Sequence, residues 1–368
     1  MKKIRITTFH RAHNYGAILQ AYALQKFLEE NNEADVKFIN YENEKIEKQY
    51  RVFKFFGRNP IKLAKQLVEN ILYFRKNLIR YNEFNKFSNN KLKVTKRVYK
   101  KADEIEENAD VYITGSDQVW NPKIVGELSD VYTLNFAKEG TKKISYAASV
   151  GDANEIKKNE KIFKEKLSGF NEISVREEDA KTELEKIIDK QIEVVLDPTM
   201  LITKEEWQAE IKNEKKIEQK YILAYVVQED KEFVKIVNYL SEKTGLKVIH
   251  FSNKNLGINN VLKSAYTDGP LKFLKYIKDA EYIVGTSFHA TVFSIIFNKK
   301  FFVVPHRKTG ARVINLIKKI GIEQKRDFST LEEFKNIDFN LEENWKKINE
   351  KILEEREKSI KWLKNAIE

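Results

Sequence analysis

The chain has 368 residues, 42% hydrophobic and 12% aromatic, which is long for one core and favours two domains of ordinary size. It contains no cysteine, so disulfides and thiolate metal sites are excluded and an oxidising compartment has no support. The net charge of +12 is unevenly placed: residues 45–101 hold 17 Lys and Arg against 3 Glu, a surplus of 14, and the remainder is close to neutral.

The opening "MKKIRITTFHRAHNYG" has a charged start, but "IRITTF" is too short and polar for a signal-peptide core, and no apolar run approaches the ~20 residues of a membrane span. A soluble, cytoplasmic protein is the expectation. "IRITTF" reads as a strand, "HRAHN" as a loop, "YGAILQAYALQKFLEE" as a helix and "DVKFINY" as the next strand, a βαβ opening. In the basic segment, Asn59 and Pro60 suit the cap and first position of a helix whose Leu63, Leu67, Ile71, Phe74 and Leu78 form one apolar stripe. That pattern favours a face packed on the helix's own domain, and it also fits insertion into a membrane surface. Residues 110–115, 144–149, 172–176 and 193–197 then read as buried strands followed by turns or helices. After a charged join at 203–218, a second alternating series runs from "KYILAYVV" through "KVIHF", "YIVGT" and "FFVVP" with intervening helices, and a long amphipathic helix closes the chain. The fold class is α/β, two doubly wound domains. The expected divisions are 1–203 with a basic helical insertion at 45–101, then 204–335, then a helix in 336–368 that packs back across the domains.

Four polar turns follow buried strands and are expected to line one cleft. In "HRAHNYG", His10, Asn14, Tyr15 and Gly16 lead into a helix N-terminus, although His10 and His13 flanking Arg11 also fit a solvated loop. In "TGSDQVWNP", Gly115 permits close backbone approach and Ser116 and Asp117 stand at a strand end, although an Asp there often only caps a turn. In "SVREEDA", Arg176 is either an anion clamp or a surface ion-pair partner. In "YIVGTSFHA", Ser287 and His289 open a helix whose N-terminus favours an anion, although both also suit capping and packing. Histidines 10, 13, 250, 289 and 306 lack ligand spacing, so no metal is expected, and the absence of GxGxxG and of a P-loop disfavours dinucleotide and Walker-type triphosphate binding. The aromatics of the basic segment sit on an amphipathic stripe, which argues against nucleic acid as its partner.

"NYGAILQAYAL", "TGSDQVWNP", "SYAASVG", "SVREEDA", "VLDPTML" and "TSFHATVFSIIF", in this order and spacing, strongly resemble the polysaccharide pyruvyl transferase family, over residues of about 8 to 326. The resemblance implies two Rossmann-like domains facing a cleft, like glycosyltransferases of the B type, and transfer of pyruvate from phosphoenolpyruvate to a surface glycan. It associates the matching His289 and Arg176 with catalysis and donor binding. Where the family usually has "DSFHG", this chain has Thr286 and Ala290 around the retained Ser287 and His289.

Forming a ketal requires one acid and a grip on a trianionic donor. His289 suits the acid, Arg176 and Ser287 the donor, with Arg312 a further donor candidate, and Asp117 is a candidate base from the chemistry alone. His10, Asn14, Tyr15, Gly16 and Ser116 are expected on the acceptor side. Phosphoenolpyruvate enters as co-substrate and no cofactor is expected. The acceptor is expected to be a surface polysaccharide or its lipid-linked precursor, and the basic segment 45–101 is expected to face an anionic inner membrane leaflet. The competing enzyme reading is a nucleotide-sugar-dependent glycosyltransferase.

Overall fold

Two all-parallel sheets carry the chain in the computed structural model, which describes residues 1–55, 57, 59–227, 230–305, 311–339 and 342–368. Strands β1 (Lys2–Thr7), β2 (Ala34–Phe38), β3 (Val111–Thr114), β4 (Lys142–Ala148), β5 (Glu172–Val175) and β6 (Ile192–Val194) form the first, in the order β2-β1-β3-β4-β5-β6. Strands β7 (Tyr221–Tyr225), β8 (Lys247–His250), β9 (Val261–Ser264), β10 (Tyr282–Gly285) and β11 (Lys300–Val303) form the second, in the order β11-β10-β7-β8-β9. Both orders reverse direction once, which is the doubly wound arrangement.

The sequence dictates this because β3, β7 and β10 are buried at every position, as strands covered by helices on both faces must be. Strand β9, "VLKS", escaped the sequence reading: as an edge strand it is only half covered and carries no apolar run. The first helix, Tyr15–Asn31, is buried nearly all round and starts at Asn14, whose side-chain oxygen accepts from the N–H groups of Gly16 and Ala17.

The chain divides into one unit of residues 1–51, 86–202 and 352–368 and another of residues 52–85 and 203–351. Two expectations change. The basic segment 45–101 does not belong wholly to the first half, because residues 52–85 join the second unit. The stretch 203–218, read as a join, already supplies the second core: Thr203 caps the helix Lys204–Glu210, and fully buried Trp207 meets the ring of Phe293 edge-on at 5.2 Å. The closing helix, Trp345–Ile367, belongs to the second unit through Lys351 and to the first from Ile352. In the first unit Arg356 donates to the carbonyl of Met200 at 2.6 Å, and Ser359 Oγ accepts from the N–H of Leu196 at 3.0 Å.

The helix Pro60–Lys91 overturns a third expectation. Its apolar stripe does not pack inward: Leu67, Ile71, Phe74 and Leu78 are all exposed, as are Val68 and Leu72. Over residues 60–80 the buried positions are Asn70 and Asn77, with Gln66 and Tyr73 half-buried, and only further along does the helix bury apolar side chains, Phe84 and Phe87. Amphipathic spacing shows that a helix has two faces, and here the polar one is turned in.

Candidate active site

In the first unit β1 has β2 on one side and β3 on the other, so the sheet reverses between β1 and β3, and the loops leaving those strands flank the switch point where ligands of open α/β sheets sit. The two loops are stitched together. Gly115 N donates to Thr7 O at 2.8 Å, and Thr8 Oγ1 donates to Ser116 O at 2.8 Å while accepting from Gln20 Nε2 at 2.9 Å. Gly115 is required by this closeness, since a Cβ there would stand 3.2 Å from Thr8 Cβ and 3.3 Å from Leu24 Cδ2.

His10 stacks on Phe38 with ring centroids 5.1 Å apart, and its Nδ1 lies 3.1 Å from the carbonyl of Thr8. A carbonyl only accepts, so Nδ1 carries the proton, and Nε2 is an acceptor with no hydrogen-bond partner among the described residues. Burial, with help from the neighbouring Arg11, pushes the His10 pKa down to about 3, so the ring is neutral. The solvated-loop alternative therefore fails for His10. Tyr15, Gly16 and Ser116 are likewise in the packed interior, and Asn14 is occupied as a helix cap.

Asp117 has a half-buried side chain and a left-handed backbone, φ 77°, which a non-glycine residue adopts at a cost. It is held there by its carbonyl, which accepts from the N–H groups of Val119 and Ser149, and by Oδ1, which accepts from Gln118 N at 2.8 Å. The capping alternative is thus realised for one carboxylate oxygen. Ala147, at the end of the adjoining β4, is also left-handed at φ 51°.

Arg176 is not a surface ion-pair partner: its fork lies among buried carboxylates of this chain. Its side chain is buried and donates from Nη1 to Asp197 Oδ2 at 3.0 Å, with Nε 3.4 Å from Glu177 Oε1. Burial alone would lower its pKa, but Glu177, Asp197 and Asp117 more than offset this and raise it. Asp197 also accepts from Ser116 Oγ at 3.0 Å on Oδ2, and from Thr199 N and Oγ1 at 3.0 and 2.7 Å on Oδ1. Ser149 Oγ donates to Glu177. One cation thus ties the ends of β3, β4, β5 and β6 through two buried carboxylates. Sequence reasoning missed Asp197, Glu177 and Ser149; the available signal was a strand-end Asp before Pro198 that caps a short turn.

In the second unit the sheet reverses between β7 and β10. Thr286 joins the two strand ends, its N–H donating to Tyr225 O at 3.1 Å and its Oγ1 accepting from Val227 N at 3.0 Å. The helix Phe288–Ile296 begins at this point with Ser287 in the cap position, yet the Ser287 hydroxyl makes no capping hydrogen bond. His289, in the first turn, is 7% exposed and meets the ring of Phe288 edge-on at 5.3 Å. The Arg312 guanidinium lies 5.9 Å from the Phe288 ring centroid. Ser287, His289 and Arg312 are therefore gathered at one switch point. Ala290 is fully buried at this strand end, where a Cβ on Gly285 would lie an ordinary 3.6 Å from its methyl. His306 lies outside the described residues. Among the described residues, no three His, Asp or Glu side chains gather as a metal set.

The polysaccharide pyruvyl transferase family model matches residues 14–308. No curated protein matches the chain. Similar solved structures include the UDP-GlcNAc 2-epimerase from Methanocaldococcus jannaschii, 14% identical with a TM-score of 0.48 over 96% of this chain and 92% of that one. The UDP-GlcNAc 2-epimerase from Neisseria meningitidis bound to UDP-GlcNAc is 12% identical, also with a TM-score of 0.48, over 96% of this chain and 100% of that one.

Proposed function

Because the chain belongs to the polysaccharide pyruvyl transferase family, an enzyme family, we propose that it transfers pyruvate from phosphoenolpyruvate onto two hydroxyls of a sugar in a cell-surface polysaccharide or its lipid-linked precursor, forming a ketal. A proton adds to the methylene carbon of the enol, making it a methyl group. One sugar hydroxyl attacks the adjacent carbon, phosphate leaves with its C–O bonding pair, and the second hydroxyl closes the ring as both hydroxyl protons depart.

The observation that carries this reading is the place of His289, in the first turn of a helix at the switch point of the second sheet. Helix N–H groups and the positive end of the dipole favour a phosphate there, beside an imidazole, a side chain able to carry and release a proton. His289 is then the proton donor, with Ser287 and Arg312 on the donor. The Asp117 carboxylate is the base for the attacking hydroxyl, and the neutral Nε2 of His10 accepts from an acceptor hydroxyl. Arg176 acts one step back, as a positioning residue that holds Asp197 and Glu177 under the strand ends. The exposed stripe on the basic helix supports docking to an anionic membrane face from the cytoplasmic side, where a lipid-linked acceptor would be presented. No helix among the described residues is long and apolar enough to cross a membrane.

The test is phosphate release from phosphoenolpyruvate across a panel of lipid-linked and free glycosides. Release that depends on one acceptor class supports the proposal. Turnover of a uridine or guanosine diphosphate sugar, with none of phosphoenolpyruvate, would replace it by the glycosyltransferase reading.

A further inference from the structure

The inverted helix Pro60–Lys91 encloses something. Gln66, Asn70, Tyr73 and Asn77 recur at spacings of four, three and four, one helix face, and with Lys54 they border a cavity of about 340 Å3. The opposite wall is Asn253 and Lys254, in the loop leaving β8, and Tyr266 beyond β9, all in the same unit. The volume is within the range of small-molecule sites, about 300–1,000 Å3. The loop at the carboxyl end of β8 is on the ligand-binding edge of a parallel sheet.

The walls are fixed in advance. Asn70 holds the backbone of Lys54 from both sides, accepting at 3.0 Å and donating at 2.9 Å. Asn77 Oδ1 accepts from the Tyr266 hydroxyl at 2.8 Å. Arg80 donates to Tyr266 O at 2.8 Å and lies over the Phe84 and Tyr266 rings, anchoring the helix to the opposite wall.

What remains for a ligand is specific in charge. Lys254 is matched by Glu69 at 3.4 Å, whereas the Lys54 ammonium has no ion-pair partner among the described residues. The lining therefore carries one uncompensated positive charge. Burial and the neighbouring Arg80 lower the Lys54 pKa, a penalty that an added carboxylate would relieve. Around it stand neutral donors and acceptors, with the Tyr73 hydroxyl and the Asn253 amide unpartnered among the described residues, and two tyrosine rings. A pyrophosphate brings too much charge for this lining and an apolar ligand wastes its amides.

We propose that this cavity is a saccharide subsite for a sugar bearing one carboxylate, such as a uronic acid unit of the acceptor glycan. The inference rests on the glycan acceptor proposed above and assigns a charge requirement to a part of that acceptor away from the ketal. Isothermal titration of the full chain with trigalacturonate, its methyl ester and inorganic phosphate tests it. Trigalacturonate should bind at least tenfold more tightly than the ester; Lys54→Gln should abolish that preference, and Asn253→Ala should weaken both ligands alike. Equal affinities, binding of neither sugar, a preference that survives Lys54→Gln, or tighter binding of phosphate than of trigalacturonate would each overturn it. The Asn70 bonds reach the backbone of Lys54, so Lys54→Gln leaves that framework standing, and an unchanged melting temperature verifies it. Binding is read without phosphoenolpyruvate or turnover, so failure of pyruvyl transfer and failure of this subsite are separate results.

Discussion

Arg176 Nη1 and Asp197 Oδ2 are 3.0 Å apart, and the two side chains are 3% and 0% exposed. Removing one member of a buried pair strands the other charge and typically costs about 3–5 kcal/mol. Asp197→Ala should therefore lower the unfolding free energy of the first unit by roughly that amount, read by chemical denaturation. Arg176→Lys keeps the charge and loses the fork that reaches both carboxylates. It should lower the melting temperature and kcat while leaving KM for phosphoenolpyruvate within about twofold, as removal of a positioning contact does. A large rise in that KM would return Arg176 to direct contact with the donor.

Those partners were not legible in the sequence, because a strand-end Arg announces an anion without saying which. Asp197 lies 21 residues from Arg176, and only the adjacency of β5 and β6 brings it there. The switch-point turns were legible, since "YIVG" and "VYIT" read as strands covered on both faces, and polar residues directly after them need a reason. The direction of the basic helix was not legible. Periodicity reports that two faces differ, whereas which one is buried depends on what the rest of its unit offers, and residues 52–85 joined a unit whose neighbouring wall is polar.

His10 gives a pH dependence with a definite sign. Its folded pKa of about 3 lies below the ordinary histidine value of 6.5, so the unfolded chain binds the extra proton first. The stability that this imbalance governs is fully present above the unfolded value and is lost as pH falls from about 6.5 toward about 3. His10→Gln, which cannot titrate, should flatten the fall in melting temperature between pH 6.5 and 4 relative to the parent, even if it melts lower at pH 7. Parallel curves would show that His10 is already charged or exposed.

The outward stripe makes a separable prediction about membranes. Ile71 and Leu72 are 65% and 70% exposed, so Ile71→Glu and Leu72→Glu should leave the melting temperature unchanged. Each should weaken co-sedimentation with vesicles containing anionic lipid, and raised salt should weaken it further. Binding indifferent to lipid charge, salt and both substitutions would leave the stripe without a membrane role.

The most direct measurement of the central claim follows the proton. In D2O, with phosphoenolpyruvate and a competent glycan, the account predicts one phosphate per ketal and a single deuterium in the ketal methyl group, read by mass spectrometry and NMR. His289→Gln should slow this by ~10²-fold or more while donor binding persists. A ketal methyl without solvent deuterium, or undiminished turnover in His289→Gln, would contradict it.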